Sequence, residues 1–172
     1  MSAIRFAVLE SLRRLGPAHG HVLMRELRTL APDAAPAAGA LYGVIDRLHK
    51  YGLISRESVT RVGNYPPRQE YTTTPEGLHE LERLWAELWE SPTASRHSIE
   101  LALAVMGQDR LRDLRDVLHA RATLLHLALG PMPHLQAGCG GPELAAHLRH
   151  SSLLGEVEWL QEAARAVASQ AG

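Results

Sequence analysis

The sequence predicts a mainly α-helical chain interrupted by one two-stranded β-hairpin, and three observations predict it. Apolar residues recur at helical spacing through much of the 172 residues. Residues 53–73 abandon that spacing and read as strand, turn and strand. Helix-stopping clusters punctuate the rest: Gly16-Pro17, the run Ala31-Pro32-Asp33-Ala34-Ala35-Pro36, Gly52, and Ser91-Pro92-Thr93.

Each element follows in order. Ile4, Val8, Leu12 and Leu15 share one face of a helix over 3–15, which Gly16-Pro17 ends. A second helix runs from about His19 to Leu30, with Leu23, Leu27 and Leu30 as its inward stripe. The third spans about Ala37 to Tyr51, and Gly52 supplies the residue that closes it. Leu53 to Val59 is a strand, Val62 to Pro67 a turn with Asn64-Tyr65 at its tip, and Arg68 to Thr73 the returning strand. Thr74 is placed to cap the next helix, with Pro75 at its favoured first position, and that helix runs to about Glu90. Helices over 95–106, 109–129 and 143–169 complete the chain. Leu111, Leu114 and Leu118 line one side of the middle one; Leu153, Val157, Leu160, Ala164 and Val167 form a narrow stripe on the last. A long amphipathic helix must cover its apolar face, either on its neighbour or on a partner subunit.

Helices followed by a hairpin and a further helix are the order of a winged helix-turn-helix, whose recognition helix lies in the major groove of DNA. The expected organisation is a winged helix-turn-helix DNA-binding domain over 1–90 and a helical dimerisation and effector domain over 91–172.

Composition sets bounds on this reading. Apolar residues make up 45% of the chain, enough for a packed core without staples. No run of eighteen apolar residues exists, so no membrane span is expected. No basic segment leads into a long apolar stretch and a cleavage site, so secretion is not expected. The single cysteine, Cys139, excludes an intramolecular disulfide and fits a reducing cytoplasm. Net charge is only −1, but it is unevenly spread. Residues 1–75 hold ten Arg or Lys against six Asp or Glu, and residues 76–172 hold eight against thirteen. An excess of positive charge in the first part favours a polyanionic partner there.

The third helix carries the chemistry. Leu41, Val44, Ile45 and Leu48 form its inward stripe, leaving Gly39, Gly43, Asp46, Arg47 and Lys50 outward, with Tyr42 on the flank. Its first turns, Ala38, Gly39, Ala40 and Gly43, are nearly bare of bulk. Small side chains let a helix backbone approach a phosphate or base edge, and a helix N-terminus adds amide donors and partial positive charge. Tyr42 suits a phosphate or a thymine methyl. The alternative is a solvated helix with small filler residues and a tyrosine whose ring covers the core. On the wing, Arg61 at the tip and Arg68 on the return strand are the candidates for the minor groove or the backbone; the alternative is a solvated hairpin.

These residues resemble the PadR family of bacterial transcriptional regulators. The likeness runs through Leu15-Gly16-Pro17 and His19-Gly20, then Gly39-Ala40-Leu41-Tyr42, similar to the family's Gly-Thr-Leu-Tyr. It continues through Arg47-Leu48, Gly52-Leu53-Ile54, Pro67-Arg68 with Tyr71, and Thr74-Pro75-Glu76-Gly77, covering about residues 1–90. Glu156-Val157-Glu158-Trp159-Leu160 resembles the last-helix pattern of the longer-tailed branch. The resemblance implies a homodimeric repressor that binds double-stranded DNA, dimerises through its C-terminal helices and is released by a signal such as a small molecule. Two departures stand out: Ala40 replaces a hydroxyl residue, and Tyr65-Pro66 replaces Gly-Arg before Pro67-Arg68.

Other constellations carry less. His119 with His126, His147 with His150, and Cys139 between them have no zinc-ligand spacing and read as surface or interface residues. No nucleophile elbow, phosphate loop or carboxylate pair is present, so neither an enzyme nor a cofactor is expected. Trp85, Trp89 and Trp159 either anchor the dimer core or stack on a small aromatic effector. The rivals to a DNA-binding regulator are a protein-interaction adaptor that keeps the fold and has lost nucleic acid, and a metal-binding enzyme that uses the histidines.

Overall fold

The computed structural model describes residues 2–60, 68–131, 134–135 and 140–168. The chain forms two compact units, Met1–Gln108 and Asp109–Gly172. The first holds α1 (Ser2–Leu15), β1 (Ala18–His19), α2 (Gly20–Leu30), α3 (Ala38–Lys50), β2 (Ile54–Thr60), β3 (Arg68–Thr73), α4 (Pro75–Glu90) and α5 (Arg96–Val105). A 3-10 turn at Gln108–Arg110 is followed by α6 (Leu111–Ala128) and α7 (Gly141–Ala168).

The architecture is the expected winged helix-turn-helix with C-terminal helices. α1 is the hub of the first unit and packs against α2, α3, α4 and α5. Its Phe6, Leu9 and Leu12 are fully buried, as are Leu23 and Leu27 of α2, Leu41, Ile45 and Leu48 of α3, and Leu81 and Leu84 of α4. Each set recurs every three or four residues, so one stripe per helix faces one shared core. The division into units falls beyond α5 because Leu101, Ala102 and Val105 are buried in a helix that packs on α1.

Several boundaries differ from the sequence expectation. The sheet has three strands in the order β1-β3-β2, all antiparallel. The extra strand is Ala18–His19, pairing Ala18 with Tyr71 and His19 with Glu70. The second helix therefore begins at Gly20, and His19 is spent on the sheet. Leu15 and Leu30, expected inward, are 46% and 40% exposed. Both are the last residues of their helices, where the stripe has run past the neighbours that cover it.

Two locks hold the third helix in place. Gly52 has φ +72, a left-handed conformation that glycine adopts without steric cost. The chain then doubles back so that the Leu53 amide donates to the Leu48 carbonyl at 2.9 Å. Thr74 caps α4 as expected, its hydroxyl accepting from the Gly77 amide at 3.1 Å while donating to the Gly52 carbonyl at 2.7 Å. One threonine thus ties the end of α3 to the start of α4.

In the second unit α6 and α7 pack on each other. Leu114, Leu118, Ala122 and Leu125 of α6 and Val157, Leu160 and Ala164 of α7 are buried. The fully buried Arg121 side chain donates from Nη2 and Nε to the Glu156 carboxylate at 2.9 and 3.0 Å, so the charge carried into this core is neutralised there. The earlier part of α7 is less covered: Leu144, Leu148 and Leu154 are 51%, 68% and 37% exposed. Among the described residues no helix is long and apolar enough to cross a membrane.

Candidate nucleic-acid interface

α3 presents the face its sequence predicts. Leu41, Val44, Ile45 and Leu48 are buried, while Ala38, Gly39, Ala40, Tyr42, Asp46, Arg47 and Lys50 are exposed. The helix starts after an extended Ala37, with no side-chain cap and no acidic residue in the first turn. Its first amides and its positive dipole end therefore meet solvent without a carboxylate to satisfy them. Open space surrounds Gly39, and the Arg47 guanidinium lies back along the helix, 3.7 Å from where a Cβ on Gly43 would sit. The outward face is thus low at its N-terminal end and basic at its C-terminal end.

Tyr42 is fixed by a contact invisible in the sequence. A Cβ on Gly20 would fall 2.6 Å from its Cε1, so only glycine lets α2 begin beneath that ring. The ring leans on Gly20 and still leaves 45% of the residue exposed. It is neither a core cap nor a free side chain, but a half-buried post with a defined position.

Between α2 and α3 runs an open groove lined by His21, Met24, Arg25, Arg28, Thr29, Ala38 and Tyr42. α2 contributes to this groove as well as α3, which the sequence expectation did not include. Yet His21, Arg25 and Arg28 are spaced four and three residues apart, which places them on one helical face. That face lies opposite the Leu23 and Leu27 stripe, and the signal was readable once the stripe was drawn.

The wing is anchored to the start of α2. His19 Nδ1 is 3.0 Å from the Gln69 carbonyl, and its Nε2 is 3.3 Å from the Glu70 carboxylate. The His19 ring also stacks on His21, with centroids 5.4 Å apart and planes 14° apart. Arg68 opens β3 with its backbone paired to Thr60. Arg61, and the tip at Asn64-Tyr65 with it, lies outside the described residues.

The tryptophans divide between the units. In the first, Trp85 packs against Phe6 and against Trp89, both with centroids 5.4 Å apart, and Trp89 is 4% exposed. In the second, Trp159 is 46% exposed. Cys139 lies outside the described residues, and among those described no three His, Cys, Asp or Glu side chains converge as a metal site requires.

Part of the chain is similar to known proteins. Residues 8–83 match the model of the transcriptional regulator PadR-like family. Among solved structures, the chain is similar to the circadian clock associated protein Pex from Anabaena, at 28% identity and a TM-score of 0.43, covering 52% of this chain and 76% of that one. It is also similar to Bacillus subtilis PadR in complex with operator DNA, at 16% identity and a TM-score of 0.46, covering 95% of this chain and 98% of that one. No curated protein matches it. The three-stranded sheet and α3, with its uncapped and bare outward side, lie within residues 8–83, the part of the chain that matches the PadR-like family of transcriptional regulators.

Proposed function

We propose that this protein is a sequence-specific DNA-binding repressor that acts as a homodimer in the cytoplasm and lets go of its operator when a small aromatic effector binds. The observation that carries the reading is the outward side of α3, exposed along its length and bare at its first turns. Ala38, Gly39 and Ala40 let the helix backbone come close to the floor of a major groove. Tyr42 stands where it can meet a phosphate or a thymine methyl, and Arg47 and Lys50 bring positive charge to the flanking backbone. Arg61 and Arg68 on the wing would reach the neighbouring minor groove or backbone. No catalytic residue, metal or cofactor enters this mechanism.

Dimerisation is assigned to the C-terminal helices. Leu144, Leu148 and Leu154 of α7 leave apolar surface uncovered, which a second copy would bury. A two-fold pair of recognition helices reads half-sites about 34–36 Å apart, one turn of the duplex. An effector acts by favouring a spacing of those helices that does not fit, and it releases DNA only to the extent that it prefers that state. Of the three tryptophans, Trp85 and Trp89 are already engaged with one another and with Phe6. Trp159 keeps the most open ring surface for a planar ligand.

The test is retardation of the DNA upstream of the protein's own gene, across a series of salt concentrations. A regulator gives a shift that excess unrelated duplex does not compete away, with two chains per site and a steep loss of affinity as salt rises. No shift, or a weak one indifferent to salt, identifies a protein-interaction adaptor instead.

A further inference from the structure

Residues 19–21 join the wing to the outward face of α3. His19 lies on β1, whose partner β3 is the return strand of the wing. The next residue, Gly20, takes the Tyr42 ring of α3 against its bare Cα. His21 stacks on the His19 ring and lines the groove beside Ala38 and Tyr42. β1 is two residues long and pairs Ala18 with Tyr71 and His19 with Glu70. So short a ladder leaves much of the hold on β3 to the His19 side chain.

That ring faces an acceptor at each nitrogen. Nδ1 is 3.0 Å from the Gln69 carbonyl oxygen, and Nε2 is 3.3 Å from the Glu70 carboxylate. A neutral imidazole has one N–H, so one nitrogen turns a lone pair toward an oxygen. The imidazolium has two and suits both sites. On α2, His21 is the titratable group set against the ring, and two stacked imidazolium rings would repel, so the arrangement favours one charge over two. On β2, the backbone register puts Arg56 opposite Tyr71 and Glu57 opposite Glu70. α1 also packs on β3, and its Arg5, Arg13 and Arg14 pair with Glu80, Glu10 and Glu26.

We propose that His19 is a positioning residue for DNA binding and that its proton is a switch. Charged, the ring seats β3 against the start of α2 and fixes the wing at the offset from α3 that the operator requires. Neutral, it turns a lone pair on Glu70, loosens the wing and weakens binding. The switch rests on the reading of α3 and the wing as the DNA-facing parts. The two side chains are 20% and 29% exposed, so the proton exchanges with water without opening the fold. Histidine is the side chain whose charge ordinarily changes between about pH 5 and 8, so operator affinity falls as pH rises through that range.

The experiment measures affinity of the full chain for its upstream duplex at fixed salt between about pH 6 and 8, for wild type, Glu70→Gln and His19→Gln. The His19 ring and the Tyr71 amide are followed by NMR across the same range in the free protein. Wild type should lose about fivefold, a modest coupling between two sites. In Glu70→Gln the new amide can donate to a neutral ring, so affinity should stay flat. In His19→Gln no proton is taken up, and affinity should be flat at a lower level. The free-protein Tyr71 amide should shift with the same midpoint as the His19 ring. Flat wild-type affinity overturns the switch and leaves the α3 reading standing. A wild-type fall in either variant also overturns it, by assigning the proton to another group such as His21. A Tyr71 amide indifferent to the His19 titration overturns it too, because the ring then does not move the strand. If His19→Gln fails to fold, Glu70→Gln and the free-protein titration decide. A wild-type protein that binds the duplex at no pH overturns the reading of α3, and the switch with it.

Discussion

Arginines on two sides of the first unit are used in opposite ways. Every arginine of α1 and α4 meets a glutamate: Arg5 with Glu80, Arg13 with Glu10, Arg14 with Glu26, and Arg83 with both Glu80 and Glu87. On the side formed by α2 and α3, Arg25, Arg28 and Lys50 are exposed with no acidic partner among the described residues. In the first group, Arg5 joins α1 to α4 and Arg14 joins α1 to α2, while Arg13 and Arg83 pair within their own helices. The second carries charge that no carboxylate among the described residues neutralises. A whole-chain net charge of −1 conceals this contrast, because neutralised and available cations count alike.

The comparison can be broken on the paired side first, where the largest effect is expected. Glu10 is fully buried; its carboxylate accepts from Arg13 at 2.7 and 3.0 Å and from the Gly107 amide at 2.7 Å. Glu10→Ala removes the acceptor for both and should cost about 2 kcal/mol in urea unfolding, because the buried Gly107 amide is left without an acceptor while the part-exposed Arg13 can turn to solvent. Operator affinity of the folded variant should stay at the wild-type value. A variant of normal stability would show that the pairing is incidental to the fold.

On the other side, Tyr42→Ala should weaken operator binding about tenfold, equal to about 1.4 kcal/mol, in a titration followed by anisotropy. Dimerisation should be intact. Unchanged affinity would remove Tyr42 from the binding face and leave it as packing for Gly20.

The smallest effect concerns a single titration. The Ser2 hydroxyl, donating to Glu87 at 2.7 Å, is the main reason that carboxylate sits below the usual range; partial burial opposes it and Arg83 assists. A lowered carboxylate pKa adds stability above its unfolded value, and that stability is lost as pH falls through the folded one. Ser2→Ala should therefore raise the Glu87 pKa toward the ordinary value in an NMR carboxyl titration, with DNA binding untouched. A titration curve identical to wild type would show that the bond contributes nothing in solution.

What was legible in the sequence follows from the reach of each signal. The stripe Leu41, Val44, Ile45 and Leu48 repeats within one helix, so periodicity alone assigned the inward and outward faces of α3. Thr74-Pro75 marked the start of α4 because capping is local. The strand Ala18–His19 has two residues, too few for any period, and exists only because Tyr71 and Glu70 come alongside. Arg5 with Glu80 and Glu10 with Gly107 join residues far apart in the chain, so which cations remain available needed the fold. The basic row His21, Arg25 and Arg28 repeats within one helix and is legible as spacing, but that it borders the groove beside α3 needed the fold.

The most direct test of the central claim is cleavage from a tethered reagent. With Cys139→Ser as background, an iron chelate is attached through Gly39→Cys, where a side chain meets open space, or through Arg83→Cys on α4. On upstream DNA, residue 39 should cut in two clusters about one helical turn apart, and residue 83 should not cut. Cutting from residue 83 with none from residue 39 would contradict the docking of α3 in the major groove.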